Sequence, residues 1–198
     1  LHKHVFARVN AAYHYEKSFQ DAGFQKTFYV APSIKIIASN KLSFLLNTEF
    51  KNAESANAPM LFLNRYAPLS FQSLEWFEKS YKVSYTSNDL IMKNPSFSMQ
   101  AQALYMLHPN WTSQTMLSRS HTKTNGYYHY LWDASNGNDF TRFISKRNGE
   151  TNTIDVQQNF TGNFTTGKWK HKFLVGLDYL QSQIENYSTG WEANGVVS

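Results

Sequence analysis

The stretch "KHKFLVGLDYLQ", residues 170–181, decides the fold. Phe173, Val175, Leu177 and Tyr179 share one face, and Lys172, Gly176 and Asp178 share the other, with Leu174 as a single apolar intruder. The period is two, as in a β-strand. The surrounding chain is polar, aromatic and rich in Asn, Ser and Thr, so no soluble core waits for the apolar face.

The same alternation recurs along the chain. It predicts strands near 4–16, 25–37, 41–51, 96–107, 151–164 and 170–181, with a further one over 111–124 that alternates poorly, although Pro32 is awkward for a central strand because it lacks an N–H. The joints are unequal. "ASNK" (38–41), "HPN" (108–110) and "TTGK" (165–168) have tight-turn composition. Every other joint is longer: "KSFQDAG" (17–23), then 52–95, then 125–150. Long irregular loops are uncommon in compact soluble domains. A transmembrane barrel combines short turns at one rim with long loops at the other. The expectation is therefore an all-β, antiparallel, up-and-down transmembrane β-barrel segment of about seven strands with long extracellular loops. Its apolar faces would meet lipid and its polar faces a lumen. Tyr13, Tyr15, Tyr105, Trp111, Trp169 and Tyr179, near strand ends, would form interfacial girdles.

Composition agrees. Charged residues are 17% and aromatics 16% of the chain, against about 25% charged in an ordinary soluble domain. The net charge of +5 comes from scattered Lys and Arg, with no basic run or helix to hold nucleic acid. With no cysteine there is neither a disulfide framework nor a thiolate metal site. No apolar run approaches the length of a membrane-spanning helix. The opening "LHKHVFARVN" already alternates like a strand, which suggests a cut within a longer protein.

Several segments carry a resemblance. "ARVNAAYHYEKSFQD", "FYVAPSIKI", "KLSFLLNTEF" and "NFTTGKWKHKFLVGLDY" resemble successive pieces of the barrel of TonB-dependent outer-membrane siderophore receptors. "NAPMLFLNRYAPL" resembles an outer loop of the Bacteroidetes branch. The resemblance implies one barrel domain over 1–198 in the cell outer membrane, with the plug domain and TonB box outside this chain. It also implies a ferric siderophore as transported ligand, contact with outer-membrane lipid, and coupling to the TonB complex through the missing plug. An isolated segment of this kind is expected to self-associate to hide its lipid face and open edges.

Seven histidines show no metal-ligand spacing. Nucleophile-elbow, phosphate-loop and paired-acid signatures are also missing, which favours a non-enzyme that needs no resident cofactor. The better candidate is capture of a ligand. "TNGYYHYLWDASNGNDFTRF" (124–143) brings Tyr127, Tyr128, Tyr130, Trp132, Phe140 and Phe143 near Arg142. Rigid aromatic walls with a few polar groups suit a bulky, partly polar guest, and an Arg among them suits an anionic chelate. The 52–95 joint offers a similar set in Met60, Phe62, Arg65, Tyr66, Trp76, Phe77 and Tyr81. The alternatives are an outer-membrane porin or glycan receptor without iron specificity, and a soluble β-sandwich binding module whose apolar faces meet across a core.

Overall fold

A computed structural model describes residues 4–56, 58–64, 66, 75, 78–79, 81–134 and 139–197. Its strands are β1 (Val5–Lys17), β2 (Phe24–Ile37), β3 (Leu42–Ala56), β4 (Met60–Phe62), β5 (Met92–His108), β6 (Trp111–Asp133), β7 (Phe140–Thr166), β8 (Trp169–Asn186) and β9 (Glu192–Val197). All belong to one sheet. The long strands follow one another as an antiparallel meander, β1-β2-β3-β5-β6-β7-β8, with β4 added to β6 and β9 to β7. A second layer facing the sheet, as a β-sandwich would require, is not found among the described strands.

The short joints are tight because their chemistry permits it. In the β2–β3 turn the Ala38 amide donates to the Leu42 carbonyl at 2.9 Å, and Ser39 Oγ accepts from the amides of Lys41 and Leu42. The β7–β8 turn places Gly167 at φ +59°, a left-handed conformation that glycine adopts without steric cost. Pro32 lies inside β2, opposite Val9. The β2–β3 ladder skips between the pairs Val30–Phe50 and Ser33–Asn47 at that point, and Thr48 Oγ1 donates to the Pro32 carbonyl at 3.1 Å. The Pro32 carbonyl thus finds a side-chain donor where the ladder is interrupted.

Register sorts the residues into rows across the sheet. One row reads Ala7, Ile34, Leu46, Ala101, Leu117, Val156 and Tyr179. The adjacent row, on the opposite face, reads Arg8, Ser33, Asn47, Gln100, Ser118 and Asp155, and ends on Leu180. The polar face is hollow: Arg8, Asn10, Asn47, Glu49, Gln100 and Asp155 are among the residues around a concavity of about 520 Å³. The apolar face stays open, with Ile34 41%, Leu46 37%, Leu117 40% and Val156 40% exposed. Only Ala31, Ala56 and Leu131 are buried hydrophobics among the described residues. A sheet of this size with so little core has its greasy face toward something other than itself.

The largest departure from the sequence reading is at 125–150, which was expected as a loop. All 23 residues of β6 pair with β7 in one unbroken register, from Trp111–Gly162 to Asp133–Phe140. The connection shrinks to 134–139. The segment is a tall hairpin, and its aromatics stand on strands.

Candidate functional site

The upper hairpin inherits the two faces of the sheet below it. Because the β6–β7 register has no bulge, Tyr128, Tyr130 and Trp132 continue the side of Ser118 and Ser120, which belongs to the hollow face. On β7 the same side carries Thr141, Phe143, Ser145 and Arg147, the cross-strand partners of Trp132, Tyr130, Tyr128 and Gly126.

Two short strands widen this wall. Above Gly126, β5 no longer covers the edge of β6, and β4 takes its place in parallel, with Met60 opposite Tyr130 and Phe62 opposite Trp132. Gly126 is required at the changeover, since a Cβ there would lie 2.1 Å from the Ile91 carbonyl oxygen. On the other side β9 pairs with Phe140–Ile144 of β7. Between β8 and β9 the chain bows out while staying bonded: Tyr187 N donates to Asn148 O at 2.7 Å, Thr189 N to Lys146 O at 2.9 Å, and Ser145 Oγ to Thr189 O at 2.9 Å. That bow delivers Trp191 to the wall.

The rings form a connected array. Tyr130 stacks on Phe143 with centroids 4.9 Å apart, meets Trp191 edge-on at 4.7 Å and Phe62 edge-on at 5.2 Å. Phe62 in turn stacks on Trp132 at 5.6 Å. The Arg147 guanidinium lies 5.0 Å from the Trp191 centroid and 5.9 Å from that of Tyr128. Such packing fixes the rings at little entropic cost on binding, yet Trp132 remains 55% and Trp191 40% exposed. The wall is rigid, aromatic and accessible, with one cation held at its base.

The opposite face of the hairpin is closed above Tyr127, which is itself 42% exposed. It carries Tyr127, His129, Leu131 and Asp133, against Phe140, Arg142 and Ile144. Leu131 is fully buried, and His129 and Asp133 nearly so. The Asn64 amide donates to Asp133 Oδ2 at 3.1 Å. Burial, and after it the nearby charge of Arg142, holds the His129 imidazole below its ordinary pKa of 6.5.

The structure therefore divides the residues singled out in the sequence. Tyr128, Tyr130 and Trp132 stand together on the open wall, whereas Tyr127 and Arg142 face away from it. Arg142 is not among the aromatics of the open wall; that position belongs to Arg147. Tyr66 is 96% exposed, with its amide bonded to Asn64 Oδ1 at 2.9 Å. Arg65, Trp76 and Phe77 lie outside the described residues. Phe62, named among the aromatics of the 52–95 joint, joins the open wall, whereas Arg147 and Trp191 were missed. Period two, applied through Arg147, would have placed that arginine with the tyrosines; nothing local announces Trp191.

A single meandering sheet, polar on its hollow side, apolar on the other and prolonged upward past one rim, has the form of a segment of a β-barrel wall, and solved outer-membrane siderophore receptors share that fold. Among solved structures it is similar to the ferripyoverdine receptor of the Pseudomonas aeruginosa outer membrane, with a TM-score of 0.79 and 16% identity over 93% of this chain and 24% of that one. It is also similar to the Escherichia coli K12 ferric-catecholate import receptor Fiu, with a TM-score of 0.75 and 14% identity over 94% and 31%. A third likeness is to BauA, the ferric preacinetobactin receptor of Acinetobacter baumannii, at 0.73 and 12% over 94% and 27%. The chain thus spans about a quarter to a third of the receptors it matches. No family model and no curated protein sequence matches it.

Proposed function

We propose that this chain is a stretch of the wall of an outer-membrane receptor that captures a ferric siderophore at its outer face for TonB-energised uptake. The observation that carries this is the continuity between the hollow polar face and the aromatic wall above it. A ligand held by Phe62, Tyr128, Tyr130, Trp132 and Trp191 would sit directly over the hollow. Arg147 supplies a charge for an anionic chelate. The apolar rows would face outer-membrane lipid, with the turns of the short joints at the periplasmic rim. β7, at 27 residues, is about 90 Å long, whereas a strand needs only about 9–11 residues to cross the bilayer; the surplus supports a wall standing outside the membrane. Energised passage would depend on a plug and TonB contact beyond this chain. The resemblance of residues 57–69 to an outer loop supports the Bacteroidetes branch.

The test is binding of ferric siderophores to the intact receptor. Loss on substituting Tyr130 or Trp191, with the barrel still inserted, supports the reading. Unchanged iron binding with lost glycan binding would replace it by the second reading, a glycan receptor. The exposed Phe62–Trp132 stack, which also suits a sugar ring, favours that one.

A further inference from the structure

The outward face of β6 is mixed in character. It runs Trp111, Ser113, Thr115, Leu117, Arg119, His121, and Leu117 lies in the apolar row described above. One position further, Arg119 is flanked by Met99 on β5 and Ile154 on β7. Met99 and Arg119 are among the residues around the hollow, and the strand alternation that puts Ser118 and Ser120 on the hollow side turns the Arg119 side chain to the other. Arg119 is exposed, and among the described residues no carboxylate lies within ion-pair distance of it. His121 is held beside it: Nδ1 lies 2.9 Å from Asn152 Oδ1, and Nε2 lies 4.0 Å from Glu150 Oε2.

Height and surroundings give this arginine its meaning. On neighbouring strands the row of His121 carries the paired rings of Phe50 and Phe97, 4.9 Å apart, so β3 and β5 meet this level with aromatics, and β6 meets it with an imidazole just above the Arg119 guanidinium. Eight residues separate Arg119 from Trp111 near the turn. At about 3.3 Å per residue and a tilt of about 40° they climb roughly 20 Å, close to the upper edge of an apolar band about 25 Å tall. A guanidinium there has hydrocarbon-facing neighbours on three sides and no protein anion. It satisfies its planar fork by reaching to the headgroup layer, where a phosphate can accept two hydrogen bonds at once.

We propose that Arg119, with His121 beside it, forms a docking site for the phosphate of an anionic membrane lipid on the outer surface of the barrel. The site rests on the membrane-barrel reading given above and adds a lipid ligand on the face opposite the aromatic wall. It tethers this part of the barrel to the headgroup layer.

The experiment uses the intact receptor in neutral detergent, titrated with phosphatidylglycerol or with phosphatidylcholine of the same chains, and counts retained lipid by native mass spectrometry. Wild type should prefer phosphatidylglycerol, Arg119→Gln should lose about fivefold of that preference, and Arg119→Lys should keep most of it. Soluble glycerol phosphate should not compete, because it lacks the acyl chains that seat beside Met99 and Ile154. An unchanged preference in Arg119→Gln would overturn the proposal, as would full displacement by glycerol phosphate, which would mark a site for a solute anion. A receptor that stays monomeric and folded without detergent would instead sink the barrel reading, and the two failures are distinguishable.

Discussion

Trp191 meets Tyr130 edge to face with ring centroids 4.7 Å apart, although one belongs to the bow between β8 and β9 and the other to the upper end of β6. The contact joins the far side of β7 to the hairpin aromatics and closes the array around Arg147. Trp191→Ala removes the edge-on partner of Tyr130 and one of the two rings over Arg147. Central aromatic anchors of this kind carry about 2 kcal/mol or more, so ferric-chelate affinity should fall at least about tenfold while barrel content is kept. Quenching of tryptophan fluorescence in the intact receptor measures it; full affinity in the variant would remove the wall from the binding account.

Arg147 and Arg142 make a discriminating pair, because they differ in face rather than in distance along the chain. Arg147→Gln should weaken binding of an anionic chelate with little change in stability. Arg142→Gln should act the other way and loosen the closed face around His129 and Leu131. Paired calorimetric titrations and melting curves separate the two; equal loss of binding in both would contradict the division of the hairpin into an open and a closed face.

The rows predict an asymmetry between the two faces of the sheet. Phe44→Lys places a charge on the apolar face and should cost roughly 2 to 4 kcal/mol if it lies near the bilayer midplane, less near the interface. Gln100→Lys on the hollow face should stay within about 0.5 kcal/mol. Folding of the receptor into vesicles in urea reads both, and a reversed order would mean the faces have been assigned the wrong way round.

Gly126→Val drives a Cβ to 2.1 Å from the Ile91 carbonyl oxygen, where backbone must shift. A loss of about 1 to 3 kcal/mol is expected, confined to the hairpin above that level. Hydrogen exchange at Tyr130 and Leu131 should accelerate, while amides near Leu117 keep their protection.

His129 gives the upper hairpin a pH response whose sign follows from its environment. Burial and Arg142 lower its pKa below 6.5 in the folded state, so as pH falls the unfolded hairpin takes up the proton first. Stability is complete above about pH 6.5 and drains away as pH falls toward the folded value. Exchange protection of Leu131 should therefore drop between about pH 7.5 and about pH 5 and become pH-independent in His129→Phe. A protection that rises on acidification would mean that the imidazole is stabilised in its charged form.

Much of the sheet was legible because its faces are so unlike. The expectation of a strand over 41–51 became Leu42–Ala56, and that over 170–181 became Trp169–Asn186. The alternation of short and long joints holds on the short side without exception. The hairpin at 125–150 was misread because Asn125, Gly126, Asn148 and Gly149 have turn composition, yet in the structure they are ladder residues, Gly126 because backbone approaches it closely and Gly149 because the Glu185 carbonyl does. β4 and β9 exist only through their partners. Three residues of apolar sequence at Met60–Phe62 contain no register, and β9 is tied down by β7 rather than by any strong period of its own. The aromatic content of the site could be seen in advance, but which arginine it keeps depends on a cross-strand register that only pairing reveals.

The unbroken β6–β7 ladder has one more consequence. With all 23 β6 residues in step with β7, the hairpin has no joint at which to bend, and it behaves as a stiff mast rather than a hinged arm. Phe62 and Trp191 are lashed to it by β4 and by the bow before β9. A guest caught there would be held at a set height above the hollow, and any motion that lowered it would have to come from the guest itself or from neighbouring parts, since the mast cannot stoop.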